Sequence, residues 1–343
     1  MPLEAKEFVA FDAKEDLLSP LKGKRIFLSG GTGFFGQWLI ESFLYCNKVF
    51  ALNTTLTVLS RHPQDFFIFR PDLEVVSTLN FIEGDVRDFK FPSGKFDYII
   101  HAATPVNVKL EQENPQELHT VIVEGTRHIL DFAAQAGASR FMLMSSGAVY
   151  GPQPDAMTHI PETYRGSPQT VYGKGKLLAE KICIKAGQAN GFSVLLPRCF
   201  AFVGPYLNLD IHFAIGNFIR DCLADQPIII KGDGTPLRSY LYAADLAEWL
   251  WTILLKGSDA RIYNVGSDEA VSIRDLAYRV RDCAKTSNPI EILGVANPAV
   301  HPVRYVPSIE RARTELNLKP RYFLDEAIFR TLAWHKNKEK VIK

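Results

Sequence analysis

Three things are scarce in this 343-residue chain. Cysteine is one. The five present, Cys46, Cys183, Cys199, Cys222 and Cys283, are odd in number, scattered and nowhere at metal-ligand spacing. That argues against a disulfide framework or a zinc site and for reduced thiols in a cytoplasmic protein. Net charge is another: 39 Lys+Arg against 38 Asp+Glu leave +1, so no bulk field draws the chain to nucleic acid or to a membrane surface. Long apolar runs are the third. No uncharged stretch reaches the ~20 residues of a spanning helix, and the start of the chain carries Glu4, Lys6, Glu7, Asp12, Lys14, Glu15 and Asp16 where a signal peptide has its apolar core. What remains is a 47% hydrophobic chain, long enough for one large α/β domain and a smaller one.

Glycine is where the chain is most informative. The apolar run Arg25-Ile26-Phe27-Leu28-Ser29 ends in Gly30-Gly31-Thr32-Gly33-Phe34-Phe35-Gly36, and Leu39, Phe43 and Leu44 follow at helical spacing. This is a strand, a tight turn and a helix start. Gly30 and Gly31 let the backbone turn, Gly33 removes a side chain where a pyrophosphate approaches, and Gly36 lets the helix pack close. The helix start at Phe34 and Phe35 then faces the anion with N–H groups and the positive end of its dipole. Two registers fit, G-x-G-x-x-G over Gly31, Gly33 and Gly36, and G-x-x-G-x-x-G over Gly30, Gly33 and Gly36. Alone, either also describes a glycine-rich turn with no ligand; the place between strand and helix favours a dinucleotide.

Further β-rich runs are expected at 55–60, 79–83, 96–102, 140–145 and 192–197, with long helical patterns at 118–136 and 172–189. Their alternation predicts an α/β fold: a Rossmann-type, doubly wound parallel sheet with a smaller α+β C-terminal substrate domain. The expected division is an N-terminal extension at 1–21, a dinucleotide-binding domain at 22–203 with a return segment near 235–265, and the smaller domain at 204–343. Within the latter, helices are expected at 210–224, 240–255, 272–284 and 308–316, and strands at 227–231 and 261–266.

The second strand ends in Leu59-Ser60-Arg61, where an NAD-preferring site carries an acidic residue for the ribose hydroxyls. Ser60 and Arg61 instead suit a 2′-phosphate, met by a fork of guanidinium donors, so the cofactor is expected to be NAD(P), NADP ahead of NAD. Asp85, followed by Val86, is placed to accept from the adenine amino group, and Ala102 and Ala103 are small where bulk would block the cofactor. Tyr172 and Lys176 stand four residues apart, on one face of a helix. A phenol with a pKa of about 10 is a poor base at neutral pH. A neighbouring ammonium and a cationic nicotinamide favour its phenolate, which would take a proton from a substrate hydroxyl. Such a pair arises readily by chance; its position after the strand that ends in Ser145-Ser146 is what gives it weight, with Ser146 able to share the substrate oxygen.

Together the 30–36 turn, Asp85-Val86, His101-Ala102-Ala103, Ser146-Gly147-Ala148-Val149-Tyr150-Gly151 and the 172–176 stretch resemble the extended short-chain dehydrogenase/reductase family, and within it the nucleotide-sugar epimerases and dehydratases. The resemblance runs from about Lys22 to the C-terminus. It implies Ser146, Tyr172 and Lys176 as catalytic residues and a nucleotide-diphosphate sugar as substrate. It also implies a homodimer through a four-helix contact and a place in polysaccharide or glycosylated natural-product synthesis. The stretch Arg198-Cys199-Phe200-Ala201-Phe202-Val203-Gly204-Pro205 is similar to the segment that opens the family's sugar-nucleotide pocket. Asn217 resembles a nucleobase-side element, and Arg238 and Arg304 resemble diphosphate-binding arginines; Thr104 and Ser146 complete the candidate substrate contacts. Two departures matter. The family's 4,6-dehydratases carry an acidic residue after the Ser/Thr, where this chain has Gly147 and Ala148, which argues against water loss. Ala201 stands where the family has an asparagine near the substrate phosphates. The first reading is therefore an epimerase, the second an NADPH-dependent keto-sugar-nucleotide reductase, and a 4,6-dehydratase or a catalytically silent binding module comes after both.

Overall fold

Strands form where β-branched and aromatic residues cluster between turns: β1 (Arg25–Ser29), β2 (Thr55–Ser60), β3 (Leu79–Glu83), β4 (Tyr98–His101), β5 (Arg140–Leu143), β6 (Ser193–Cys199) and β7 (Arg261–Val265). The computed structural model describes residues 1–104, 108–211 and 213–342. It orders these strands β7-β6-β5-β4-β1-β2-β3, with the short strand Ser145–Ser146 paired to β6. The registered pairs from β3 through β6 are all parallel. Parallel neighbours need crossovers, supplied by α1 (Phe34–Val49), α2 (Pro115–Gln135) and α3 (Val171–Asn190) among others. After β3 the chain returns to the far side of β1, so strand order reverses between β1 and β4. In a doubly wound sheet that reversal opens a crevice beyond the carboxyl ends of the two strands. This is the Rossmann-type sheet expected from the sequence.

Local chemistry sets the helix ends. Asn114 caps α2 by accepting from Glu117 N–H at 3.2 Å, with a proline in the first turn. Thr170 caps α3 by accepting from Gly173 N–H at 3.0 Å, and Gly191, with φ 78°, ends it. Under the sheet, Phe27 packs against Phe132, Phe89 and Phe96 at centroid separations of 4.7, 5.4 and 5.8 Å.

Two compact units divide the chain. The first holds Met1–Val149, Pro168–Arg198 and Ala247–Tyr263; the second holds Tyr150–Ser167, Cys199–Leu246 and the residues from Asn264 on. The opening residues are thus part of the first unit. They form short helical turns whose Phe8, Phe11, Leu17, Leu18 and Leu21 are buried, and Phe8 meets Trp38 edge-on at 6.1 Å. In the second unit, short strands at Leu237–Arg238, Val271–Ser272 and Arg304–Tyr305 form a small sheet with helices at Ala214–Leu223, Ile273–Ala284, Glu310–Leu316 and Leu324–Ile342. Buried Asn264 joins its segments: it accepts from the Tyr150 hydroxyl at 2.7 Å and donates to Ile160 O and Ser308 O at 2.8 and 3.0 Å.

Candidate dinucleotide and catalytic site

The turn between β1 and α1 closes tightly on two sides and stays open on a third. Gly30 has φ +76°, and a Cβ there would stand 2.7 Å from Ala102 C and Ala103 N, so the end of β4 presses directly on it. A Cβ on Gly36 would stand 2.3 Å from Gly31 Cα, so α1 crosses the turn at backbone contact. Gly33 differs: a Cβ there would meet Gly30 O at 3.5 Å, an ordinary contact. Of the two glycine registers, Gly30, Gly33 and Gly36 has the geometry of turn, open approach and close packing. No side chain caps the first turn of α1, which is the arrangement in which a bound anion takes that role. The rings of Phe34 and Phe35, the first residues of α1, stand 5.9 Å apart. The cradle fits a dinucleotide pyrophosphate.

The neighbouring strand ends line up beside it. The Ser60 hydroxyl accepts from His62 N–H at 3.3 Å, and Arg61 is exposed. Asp85 is engaged by a residue the sequence reading passed over. Arg87 donates from Nε to Oδ1 at 2.8 Å and from Nη2 to Oδ2 at 3.1 Å, and its Nη1 reaches Glu117 Oε1 at 2.7 Å. Those bonds from Arg87 hold the Asp85 carboxyl below the usual range, against an opposing effect of burial. Oδ1 also accepts from Arg87 N–H at 3.0 Å, so it is Oδ2 that keeps a lone pair for another donor. Val86 is buried in the core, so its side chain packs there.

Beyond the ends of β4 and β5, Lys176 of α3 is held by backbone and side-chain acceptors. Lys176 is 2% exposed, and a buried ammonium requires acceptors. Its Nζ donates to Thr104 Oγ1 and to Met144 O, both at 2.7 Å, and lies 5.9 Å from the Tyr172 ring centroid. Thr104, expected to touch substrate, is therefore first a partner of Lys176. Ser146 Oγ accepts from Ala148 N–H at 3.1 Å, which leaves its O–H to donate elsewhere. The start of α3 presses on that same turn: a Cβ on Gly173 would stand 2.6 Å from Ala148 O. Glu111 accepts from Tyr172 N–H at 2.9 Å. One turn beyond Lys176, buried Glu180 accepts from Ser145 Oγ at 2.5 Å and from Arg198 Nε and Nη2 at 2.9 and 2.7 Å. That pair locks α3 to β6 and to the residue before Ser146. A carboxylate on an otherwise apolar stripe, with an arginine ending the next strand, was its signal in the sequence.

The family model described as the NAD dependent epimerase/dehydratase family matches residues 26–266, a span that contains this whole constellation. The chain belongs to that family. UDP-glucuronic acid decarboxylase 5 of Arabidopsis thaliana is 29% identical over 312 residues, covering 89% of this chain and 87% of that one. The dTDP-D-glucose 4,6-dehydratase of Mus musculus is 27% identical over 340 residues, covering 93% of each. Among solved structures, UDP-glucose 4-epimerase from Thermotoga maritima superposes with a TM-score of 0.79 at 18% identity, over 92% of this chain and 99% of that one. Similar proteins in the family thus differ in reaction while sharing the fold.

The second unit treats the family-implied substrate residues differently from the sequence expectation. Leu237 pairs with Arg304, and Arg238 pairs with Tyr305. Side chains alternate along strands, so Tyr305 rather than Arg304 is the same-face neighbour of Arg238 across this pair. Arg238 Nη1 donates to Leu237 O at 2.9 Å, and the Tyr305 ring packs on Phe200 at 4.7 Å. Asn217 donates both amide hydrogens, to Leu209 O and Ile211 O at 2.8 Å each, so it ties its own loop together and keeps one acceptor oxygen. Among the described residues, no His, Cys, Asp and Glu group could hold a metal, and no helix is long and apolar enough to cross a membrane.

Proposed function

We propose that the chain is an NAD(P)-dependent nucleotide-sugar epimerase. What supports this reading is the buried Lys176, held by Thr104 beside Tyr172 next to the open glycine cradle, with the start of α3 packed on the turn after Ser146, where Gly147 and Ala148 supply no acid for eliminating water. Tyr172, as phenolate, takes the proton of a sugar hydroxyl and later returns it. The buried Lys176 ammonium favours that phenolate. Ser146 donates its O–H to the same substrate oxygen. When bound, the nicotinamide dinucleotide takes up and gives back the hydride at the carbon bearing that oxygen. The cradle at Gly30, Gly33 and Gly36, with Phe34 and Phe35, holds the pyrophosphate. Ala102 and Ala103 border the ring, Asp85 and Val86 the adenine. Arg238 takes the substrate diphosphate through its fork of donors.

Arg61, exposed beyond β2, favours a second reading, an NADPH-dependent reductase of a keto-sugar nucleotide, because its guanidinium suits a 2′-phosphate. Assembly of two copies through α2 and α3 is what the family resemblance implies for this chain. The test is incubation with UDP-, dTDP- and GDP-sugars, UDP-glucuronate included, with and without NADPH. Epimerisation without added reductant, lost in Tyr172→Phe, supports the proposal. Stoichiometric NADPH consumption moves the conclusion to the reductase, and release of carbon dioxide from the uronate moves it to a decarboxylase.

A further inference from the structure

His101 ends β4 with its ring completely buried, and the catalytic reading gives it no part. Its two nitrogens face hydroxyls: Ser29 Oγ at 2.8 Å from Nδ1 and Thr126 Oγ1 at 3.3 Å from Nε2. The direction of each bond follows from counting protons. Thr126 Oγ1 donates its single hydrogen to Ile122 O at 2.6 Å, so it can only accept from the ring, and Nε2 carries a hydrogen. A neutral ring then has a bare Nδ1, which accepts from Ser29 Oγ–H. Ser29 has now spent its hydrogen, and its oxygen accepts from Ala103 N–H at 3.3 Å. The reverse tautomer would point a bare Nε2 at a hydroxyl with no proton left to give. An imidazolium would place a second positive charge in a site already influenced by Lys176, and burial accordingly holds the ring's pKa down to about 3.

We propose that His101 is a positioning residue: as the neutral Nε2–H tautomer it completes a one-way chain, Ala103 N–H to Ser29 to His101 to Thr126 to Ile122 O, that fixes the end of β4 against the coenzyme turn. The chain joins the last residue of β1, the last residue of β4 and the middle of α2. Its free end is the Ala103 amide, whose nitrogen lies where a Cβ on Gly30 would collide. The next residue, Thr104, accepts from Lys176 Nζ. Misplacing the Ala102–Thr104 backbone would therefore disturb both the glycine cradle and the ammonium beside Tyr172.

The inference rests on the proposed function for its coenzyme half, and the experiment has two arms. In the first, the full chain with 15N-labelled histidine and no added ligand is examined at neutral pH by ring-nitrogen chemical shifts. The expected result is a protonated Nε2 and a bare Nδ1; an Nδ1–H ring or an imidazolium overturns the proposal. In the second, NAD+ and NADP+ are titrated calorimetrically into wild type, Ser29→Ala, Thr126→Val, His101→Leu and His101→Gln. Each of the first two substitutions is expected to weaken the tighter coenzyme about tenfold, the loss of one buried hydrogen bond. His101→Gln keeps a donor at the ε position and recovers part of what His101→Leu loses. Folded Ser29→Ala and Thr126→Val proteins that bind as wild type does overturn the proposal. A wild type that binds neither coenzyme counts against the proposed function, and the ring-nitrogen arm then decides the role of His101 by itself.

Discussion

Replacing Gly33 and Gly36 by alanine, one at a time, separates the turn's fold from its ligand. A methyl on Gly33 meets its nearest neighbour, Gly30 O, at 3.5 Å, and the backbone there (φ −79°, ψ 178°) suits any residue. Gly33→Ala should therefore shift stability by no more than about 0.5 kcal/mol. The same methyl occupies the approach of the pyrophosphate. Losing one hydrogen bond to that charged group costs about 1.5–3 kcal/mol, or about 10- to 150-fold in coenzyme affinity. Gly36→Ala does the opposite. Its methyl would stand 2.3 Å from Gly31 Cα and 2.4 Å from Gly30 O, so backbone must move. Overpacking of that kind costs about 1–3 kcal/mol, a few degrees in Tm for a chain of this length. Differential scanning fluorimetry and calorimetric titration of both coenzymes read the two effects. If Gly33→Ala keeps wild-type affinity, the cradle does not hold the pyrophosphate and the argument from the turn fails.

Three more outcomes follow from the same geometry. Arg238→Ala should weaken UDP and dTDP binding about 10- to 100-fold while Arg304→Ala stays within about twofold, because the strand register makes Tyr305, not Arg304, the same-face neighbour of Arg238; equal losses would return Arg304 to the site. Arg61→Glu should weaken NADP+ about 10- to 100-fold and leave NAD+ nearly unchanged; equal changes in both would show that Arg61 does not meet a 2′-phosphate. Arg87 lowers the folded-state pKa of Asp85. That pairing stabilises the fold above the unfolded carboxylate value and is lost as pH falls through the folded one. In urea unfolding, the stability gap between wild type and Arg87→Leu should shrink from about pH 7 to about pH 3, and a constant gap would contradict the assignment.

The sheet was legible because each strand of a doubly wound fold is a short apolar run with a glycine or polar turn behind it. The runs expected at 55–60 and 79–83 form over those residues, and α2 and α3 fall within a few residues of expectation. Capping residues such as Asn114 and Thr170 moved those helix starts, since a cap acts through a side chain that periodicity ignores. The helix at Leu324–Ile342 was not foreseen: its buried Ala327, Ile328, Thr331 and Leu332 are diluted by a charged outer face. The nearness of Lys176 to Tyr172 was legible by spacing, four residues along one helix face. What surrounds the pair was not. His101 with Ser29 and Thr126, Arg87 on Asp85, and Arg198 on Glu180 are pairs made across the fold, where sequence distance gives no hint of contact. The faces taken by Arg238 and Arg304 also needed the register, because a one-residue offset between paired strands turns a side chain to the other side.

The most direct test of the account is a single-turnover mixture of wild type and of Tyr172→Phe, each first loaded with the coenzyme it binds, with the sugar nucleotide that the substrate panel selects. Reduced-nicotinamide absorbance should rise and decay in wild type and stay flat in Tyr172→Phe, while calorimetry shows both proteins holding coenzyme and sugar nucleotide alike. The same transient in both proteins would take the proton transfer away from Tyr172 and contradict the mechanism built on it.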